Sequence, residues 1–84
     1  MTAAAATPVL VRYWAAARAA TGVDEETLEG ATVADVLAAA RAAHPGLQPV
    51  LGVASILVAG VASGPERTLA AGETVEVLPP FAGG

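Results

Sequence analysis

Thr32-Val33-Ala34-Asp35-Val36-Leu37-Ala38-Ala39-Ala40-Arg41-Ala42-Ala43-His44-Pro45-Gly46 (TVADVLAAARAAHPG, residues 32–46) is the stretch from which the fold can be read. Thr32 followed three residues later by Asp35 is close to a capping box, with Asp in place of Glu. Behind it Val33, Val36, Leu37 and Ala40 recur at i, i+3, i+4 and i+7, the apolar stripe of an amphipathic helix. Pro45-Gly46 cannot continue that helix, so it stops at Ala43 or His44. One such helix needs a surface to cover, and the segments on both sides supply strands.

Upstream, Pro8 to Trp14 (PVLVRYW) is β-branched and aromatic, and reads as a strand. Arg12 sets its phase: Leu10, Arg12 and Trp14 share one face, and Val9, Val11 and Tyr13 the other. Ala15 to Thr21 is helical by propensity, with Gly22 placed to end it. At two turns this helix is marginal alone and must lean on the sheet. Val23 to Glu29 is a charged strand, as suits an edge that must not recruit other strands.

Downstream, Leu47 to Val53 is read as a loop and Ser55 to Ala59 as a buried strand. Gly60 to Pro65 is read as a turn-rich connection, Arg67-Thr68-Leu69 as a short strand, and Ala71-Gly72 as a turn. Thr74 to Leu78 alternates cleanly, with Val75 and Val77 inward and Glu76 outward. These elements predict an α+β fold: a mixed sheet of about five strands, one main helix across it, and a short helix after the first strand. The expected organisation is a tail over residues 1–7, a domain over 8–78 and an extended C-terminal tail over 79–84.

Composition narrows the function. Eighty-four residues make one domain, and a chain this short buries only about 60–65% of its unfolded surface. There is no cysteine, and all four basic residues are arginine, which excludes thiolate and Schiff-base chemistry on this chain. The net charge is −4 with scattered arginines, giving no footprint for nucleic acid or anionic lipid. Residues 42–65 lack charge, yet His44, Pro45, Gly46, Gln48, Pro49 and Gly52 interrupt them, too often for a membrane span. Met1 to Thr7 lacks the positive start of a secretory signal. The expectation is a cytoplasmic protein that engages neither nucleic acid nor membrane.

His44 is the sole histidine and sits where a helix ends, where positive charge complements the helix dipole. It lacks companions at metal-ligand spacing. Ser55 and Ser63 lack a nucleophile-elbow context. Residues 60–64 lack the lysine of a phosphate loop. Asp24, Glu25, Glu26 and Glu29 read as a solvated edge, and Tyr13 and Trp14 as sheet packing. No acid–base or nucleophile constellation exists within the chain.

The remaining candidate is the end: Pro79-Pro80-Phe81-Ala82-Gly83-Gly84. Two prolines remove two ladder donors, so strand pairing stops there. Phe81 is an apolar anchor, and Ala82, Gly83 and Gly84 carry almost no side chain, so such an arm can thread a narrow channel. The reactive group it delivers is the Gly84 α-carboxylate, the expected catalytic position. Adenylation would turn it into a mixed anhydride, and a sulfur nucleophile displacing AMP would leave a thiocarboxylate.

The ending Leu69-Ala70-Ala71-Gly72-Glu73-Thr74-Val75-Glu76-Val77-Leu78 followed by PPFAGG resembles that of the molybdopterin synthase small subunit (MoaD-like) group, within the MoaD/ThiS ubiquitin-like sulfur-carrier family. Val11-Arg12-Tyr13-Trp14-Ala15 with Arg18 and Gly22 is similar to that family's first strand and short helix. Two departures stand out: Ala59-Gly60 replaces a Val-Asn turn, and Trp14 stands where phenylalanine is commoner. The resemblance implies a ubiquitin-like β-grasp fold and no bound cofactor. It further implies an E1-like (MoeB-like) adenylyltransferase that consumes ATP, and a persulfide sulfur donor. A molybdopterin synthase large subunit (MoaE-like) would carry the catalytic side chains. That subunit would contact Pro79, Pro80, Phe81, Ala82, Gly83 and Arg18, and sulfur would pass to a cyclic pyranopterin precursor. Two alternatives remain open: a carrier serving thiamine, cysteine or tRNA thiolation, and a β-grasp interaction module or modifier without sulfur chemistry. Pro79-Pro80 speaks against the thiamine-type ending.

Overall fold

The computed structural model describes residues 7–80; residues 1–6 and 81–84 lie outside it. Five strands form one mixed sheet in the order β2-β1-β5-β3-β4. They are β1 (Pro8–Tyr13), β2 (Glu25–Glu29), β3 (Ser55–Val58), β4 (Val61–Ala62) and β5 (Thr74–Leu78). The helices are α1 (Ala16–Thr21), α2 (Val33–Ala43) and the single turn α3 (Gln48–Leu51). β1 and β5 run parallel at the centre, while β2, β3 and β4 are joined antiparallel. With α2 packed across one face, this is the ubiquitin-like β-grasp arrangement expected.

The alternation in the strands puts Val9, Val11, Tyr13, Val75, Val77 and Val58 on the covered face. Val33, Val36 and Ala40 of α2 meet them, as the helical stripe requires. Among the described residues, seven of the twelve that form the buried core are valine. Each fully buried valine contributes about 1.5 kcal/mol or more relative to exposure. Thr32 caps α2, its hydroxyl accepting from the Asp35 N–H at 3.3 Å, while the Asp35 carboxylate accepts from the Ala31 N–H. α1 ends at Gly22, whose φ of 78° lets its N–H reach the Arg18 carbonyl at 2.8 Å.

Three readings change. Residues 47–53 are not a plain loop: Pro45–Leu47 forms a 3₁₀ turn that runs into α3. Pro45 and Pro49 both sit in first turns, where a helix needs no N–H. Leu47 is fully buried, so this segment plugs the core. The β3 strand ends at Val58, and Ala59 instead turns with Gly60 into β4, which lies within the expected connection. Arg67-Thr68-Leu69 is not a strand. Its backbone bonds to the start of α2 (Val33 N–H to Arg67 O, Leu69 N–H to Ala31 O), with one isolated bridge between Thr32 and Thr68.

Candidate functional site

The site begins at the central strand. β5 is held by β1 on one side and β3 on the other, and Ser55 opposite Leu78 is its last pair with β3. The Trp14 N–H adds a bond to the Val77 carbonyl at 3.2 Å. Pro79 follows with no N–H to give, and pairing stops there. Pro79 is buried, and Pro80 is exposed and lies in a turn. The last strand therefore ends in a root fixed on both flanks.

Beside this root lies a groove of about 390 Å³ lined by Ala16, Pro49, Val50, Val53, Pro79 and Pro80. Every one of those side chains is apolar. Val53 is 65% exposed in it. One wall exists because α3 forms where a loop was expected; the other exists because α1 starts immediately after β1. Ala15 makes that start possible with φ 48° and ψ −117°, and Ala17 N–H then bonds the Trp14 carbonyl at 2.9 Å. A non-glycine residue held at positive φ stores on the order of 1 kcal/mol. Val50 and Val53 were missed as site residues. The signal was there, since Leu47, Val50 and Leu51 stand at i, i+3 and i+4.

Arg18 is not part of this groove. It lines a separate polar cleft with Arg12, Tyr13, Trp14, Asp24 and Glu25. There its guanidinium approaches Asp24 at 3.4 Å, and Arg12 approaches Glu25 at 3.5 Å while lying 4.9 Å from the Trp14 ring centre. Of the expected contact residues, the structure thus brings Pro79 and Pro80 together and sets Arg18 apart. Phe81, Ala82, Gly83 and Gly84 lie outside the described residues.

The charged edge is less solvated than its sequence implies. Glu26 accepts a hydrogen bond from the Tyr13 hydroxyl at 2.6 Å, and the same oxygen lies 2.7 Å from His44 Nε2. This cluster ties β1, β2 and the C-terminus of α2 together. Burial, reinforced by Glu26, holds the Tyr13 phenol well above its ordinary value. At the opposite end of the sheet, before β5 begins, Arg67 grips Glu73 with two contacts of 2.8 and 3.2 Å. That hydrogen bonding, with the Ala70 N–H, lowers the Glu73 carboxyl below the usual range. Among the described residues no group of three or more His, Asp or Glu is placed to hold a metal ion. None of their helices is long and apolar enough to cross a membrane.

The fold defines a ubiquitin-like β-grasp protein. The chain belongs to the ThiS family, whose model matches residues 11–84, and it is a ThiS/MoaD-like sulfur carrier by class. Among solved structures it is similar to small archaeal modifier protein 1 from Methanosarcina acetivorans, with a TM-score of 0.84 and 29% identity over 94% of this chain and 98% of that one. A candidate molybdopterin converting factor subunit 1 from Pyrococcus furiosus has a TM-score of 0.80 and is 30% identical, over 89% and 99%. The complex of subunits 1 and 2 of molybdopterin-converting factor from Helicobacter pylori 26695 contains a chain with a TM-score of 0.70 and 23% identity, over 93% and 100%; this likeness speaks to the fold. No curated protein sequence matches significantly.

Proposed function

We propose that this chain is the sulfur-donor subunit of molybdopterin synthase, with Gly84 as its working residue. One observation carries the reading: the family match runs through residue 84, across the PPFAGG segment rooted in the central strand. The similarity to the Pyrococcus furiosus protein supports the molybdopterin pathway. In this reading an E1-like enzyme joins the Gly84 carboxylate to AMP from ATP, releasing pyrophosphate. Persulfide sulfur then attacks the acyl carbon and AMP leaves. A thiol cutting the remaining S–S bond frees the thiocarboxylate. The large subunit receives the tail and supplies the side chains that move sulfur to the pyranopterin. The chain's own part is presentation, performed in the cytoplasm, and it binds no cofactor itself.

A second reading has its own support in the likeness to small archaeal modifier protein 1. There Gly84 would be joined to lysines of other proteins. The two are separated by expressing the chain with its activating enzyme and sulfur donor. Intact mass spectrometry should find one oxygen replaced by sulfur, and the molybdopterin synthase large subunit should co-purify. Adding one residue after Gly84 should abolish the sulfur-bearing species while leaving the circular dichroism spectrum unchanged. Gly-Gly remnants on lysines of other proteins, without co-purification of the large subunit, would replace the first reading with the second. Sulfur loading that survives the added residue would refute both.

A further inference from the structure

The two edges of the sheet differ. β2 lines one of them with Glu25, Glu26 and Glu29, charges that deter a further strand. On the opposite edge β4 covers only Leu57 and Val58 of β3. Ser63 N–H adds one bond to the Ile56 carbonyl at 2.9 Å, and the chain then turns to α2, where the Pro65 carbonyl accepts from Ala34 N–H. Peptide geometry fixes what the rest of this edge presents. Ala59 N–H bonds the Thr74 carbonyl on β5, so in the antiparallel register Leu57 and Ser55 also aim their N–H and C=O at β5. In a trans peptide the C=O and the next N–H point opposite ways, and no described peptide is cis. Ala54 C=O and Ile56 N–H therefore point out of the open edge, and neither has a partner among the described residues. The groups beside them are taken: Ala54 N–H bonds the Val50 carbonyl at 3.0 Å, and the Ile56 carbonyl holds Ser63. An antiparallel strand would use both groups of one residue, whereas a parallel strand uses a C=O and the N–H two residues on. The two vacancies fit the parallel pattern.

Along this edge runs a further groove, of about 380 Å³, between Val33 and Leu37 of α2 and Ala54, Ser55 and Ile56, with Pro65 at the α2 start. Arg41 stands one helical turn beyond Leu37, about 6 Å along α2. It is exposed, and it is the one arginine without an ion pair among the described residues. We propose that this edge receives an extended peptide of another protein, parallel to β3, in the pattern acidic–any–aliphatic–any–aliphatic. The residue opposite Ser55 makes both backbone bonds. Its two neighbours point the way the Ile56 side chain points, into the groove, because alternate residues of a strand share a face. The acidic residue, two positions earlier on that face, lies toward the Ala54 end and meets Arg41. A second copy of this chain fits badly, since a twofold axis pairs two edges antiparallel and the groups that pairing needs are taken. Nothing in the proposal depends on Gly84, so its failure would leave the sulfur-carrier reading untouched.

Isotope-labelled full-length protein and the synthetic peptide Gly-Asp-Thr-Val-Thr-Val-Gly test it by NMR. In the free protein the Ile56 amide should exchange with solvent faster than those of Leu57 and Val58. The peptide should slow that exchange and shift the signals of Ala54, Ile56, Leu37 and Arg41 saturably, with a Kd on the order of 1 mM or tighter. The reversed peptide, Gly-Val-Thr-Val-Thr-Asp-Gly, should bind roughly ten-fold more weakly, the worth of one or two backbone hydrogen bonds. Arg41→Ala should weaken binding about two- to five-fold, as loss of an exposed ion pair does, and should make no difference to a peptide with Asn in place of Asp. An Ile56 amide as slow as its neighbours in the free protein would overturn the proposal. So would equal binding of the reversed peptide, or the absence of any saturable shift. Shifts of these same amides with protein concentration alone would also overturn it, assigning the edge to a second copy.

Discussion

Replacing Ala59 by asparagine should stabilise this protein, and the size of the effect follows from two backbone angles. Ala59 and Gly60 form a two-residue turn between Val58 and Val61, which pair directly. Their φ values are 52° and 81°. Two consecutive residues at positive φ make the turn type that matches strand twist, and asparagine followed by glycine is its preferred sequence. Gly60 meets this demand; Ala59 does not. An L-residue with a plain Cβ in this region loses about 1 kcal/mol, whereas asparagine visits it with a local hydrogen bond. The Ala59 side chain is exposed, so no packing changes, and its N–H keeps its 3.2 Å bond to Thr74 O. Ala59→Asn should therefore gain about 1 kcal/mol, which for a domain of this size raises the melting temperature by roughly 4–8 °C.

Ala59→Gly removes the same strain but costs about 0.5–1 kcal/mol in backbone entropy, so its gain should be smaller. Ala59→Val places a β-branched residue where it is a genuine outlier, and should lose stability. Thermal unfolding followed by far-ultraviolet circular dichroism orders the four proteins. The expected series is asparagine above glycine, glycine above alanine, and valine last. An asparagine variant melting at or below the parent, or a valine variant melting with it, would refute the turn assignment.

Two further predictions concern pH. Tyr13 has its folded phenol pushed above the ordinary 10.0, and the chain's lack of lysine and cysteine leaves it the only side chain that ordinarily titrates there. Its contribution is complete below that value and is lost as the pH rises beyond it, because the unfolded chain ionises first. Urea unfolding at about pH 9 and about pH 11 should show falling stability in the parent and a flat response in Tyr13→Phe; equal slopes would refute the assignment. Glu73 has its folded carboxyl lowered from 4.5 by Arg67, so its contribution is present above that value and lost as the pH falls through the folded one. Glu73→Gln should be less stable than the parent near neutrality and lose less on acidification; parallel acid profiles would overturn the role given to the Arg67 contact.

The parts of this fold that repeat along the chain were legible in its sequence. Val33, Val36 and Ala40 announced a helix face, and Val75 with Val77 announced a strand face; both are buried. The parts that depend on distant residues were not. Pro45, Gly46 and Pro49 look like breakers, but a proline in a first turn breaks nothing, and only the core's demand for Leu47 reveals the helical turns around it. β4 has two residues, too few for any alternation to show. Arg67 to Leu69 has strand-like residues, but its backbone is committed to the start of α2. Glu26 reads as one more edge charge until Tyr13, thirteen residues before it, and His44, eighteen after it, close on it. For the site the division is similar: the sequence displayed the tail itself, whereas the groove beside it needed α1 and α3 to meet Pro79 and Pro80.

A protein that presents its own terminus needs opposite properties a few residues apart. The acyl end must be free to enter another protein, yet its point of attachment must be immobile, or the partner spends binding energy ordering both. An edge strand would make a poor root, since one flank could peel away. β5 lies between β1 and β3, so displacing its end means breaking a ladder on each side. Buried Val75 and Val77 anchor the strand to the core, and Arg67 holds Glu73 at its entry. Strand pairing ends at Pro79, which has no N–H to give and whose ring is buried. Pro79 and Pro80 also wall the apolar groove, so the end of strand pairing and the surface beside it are set by the same pair of residues.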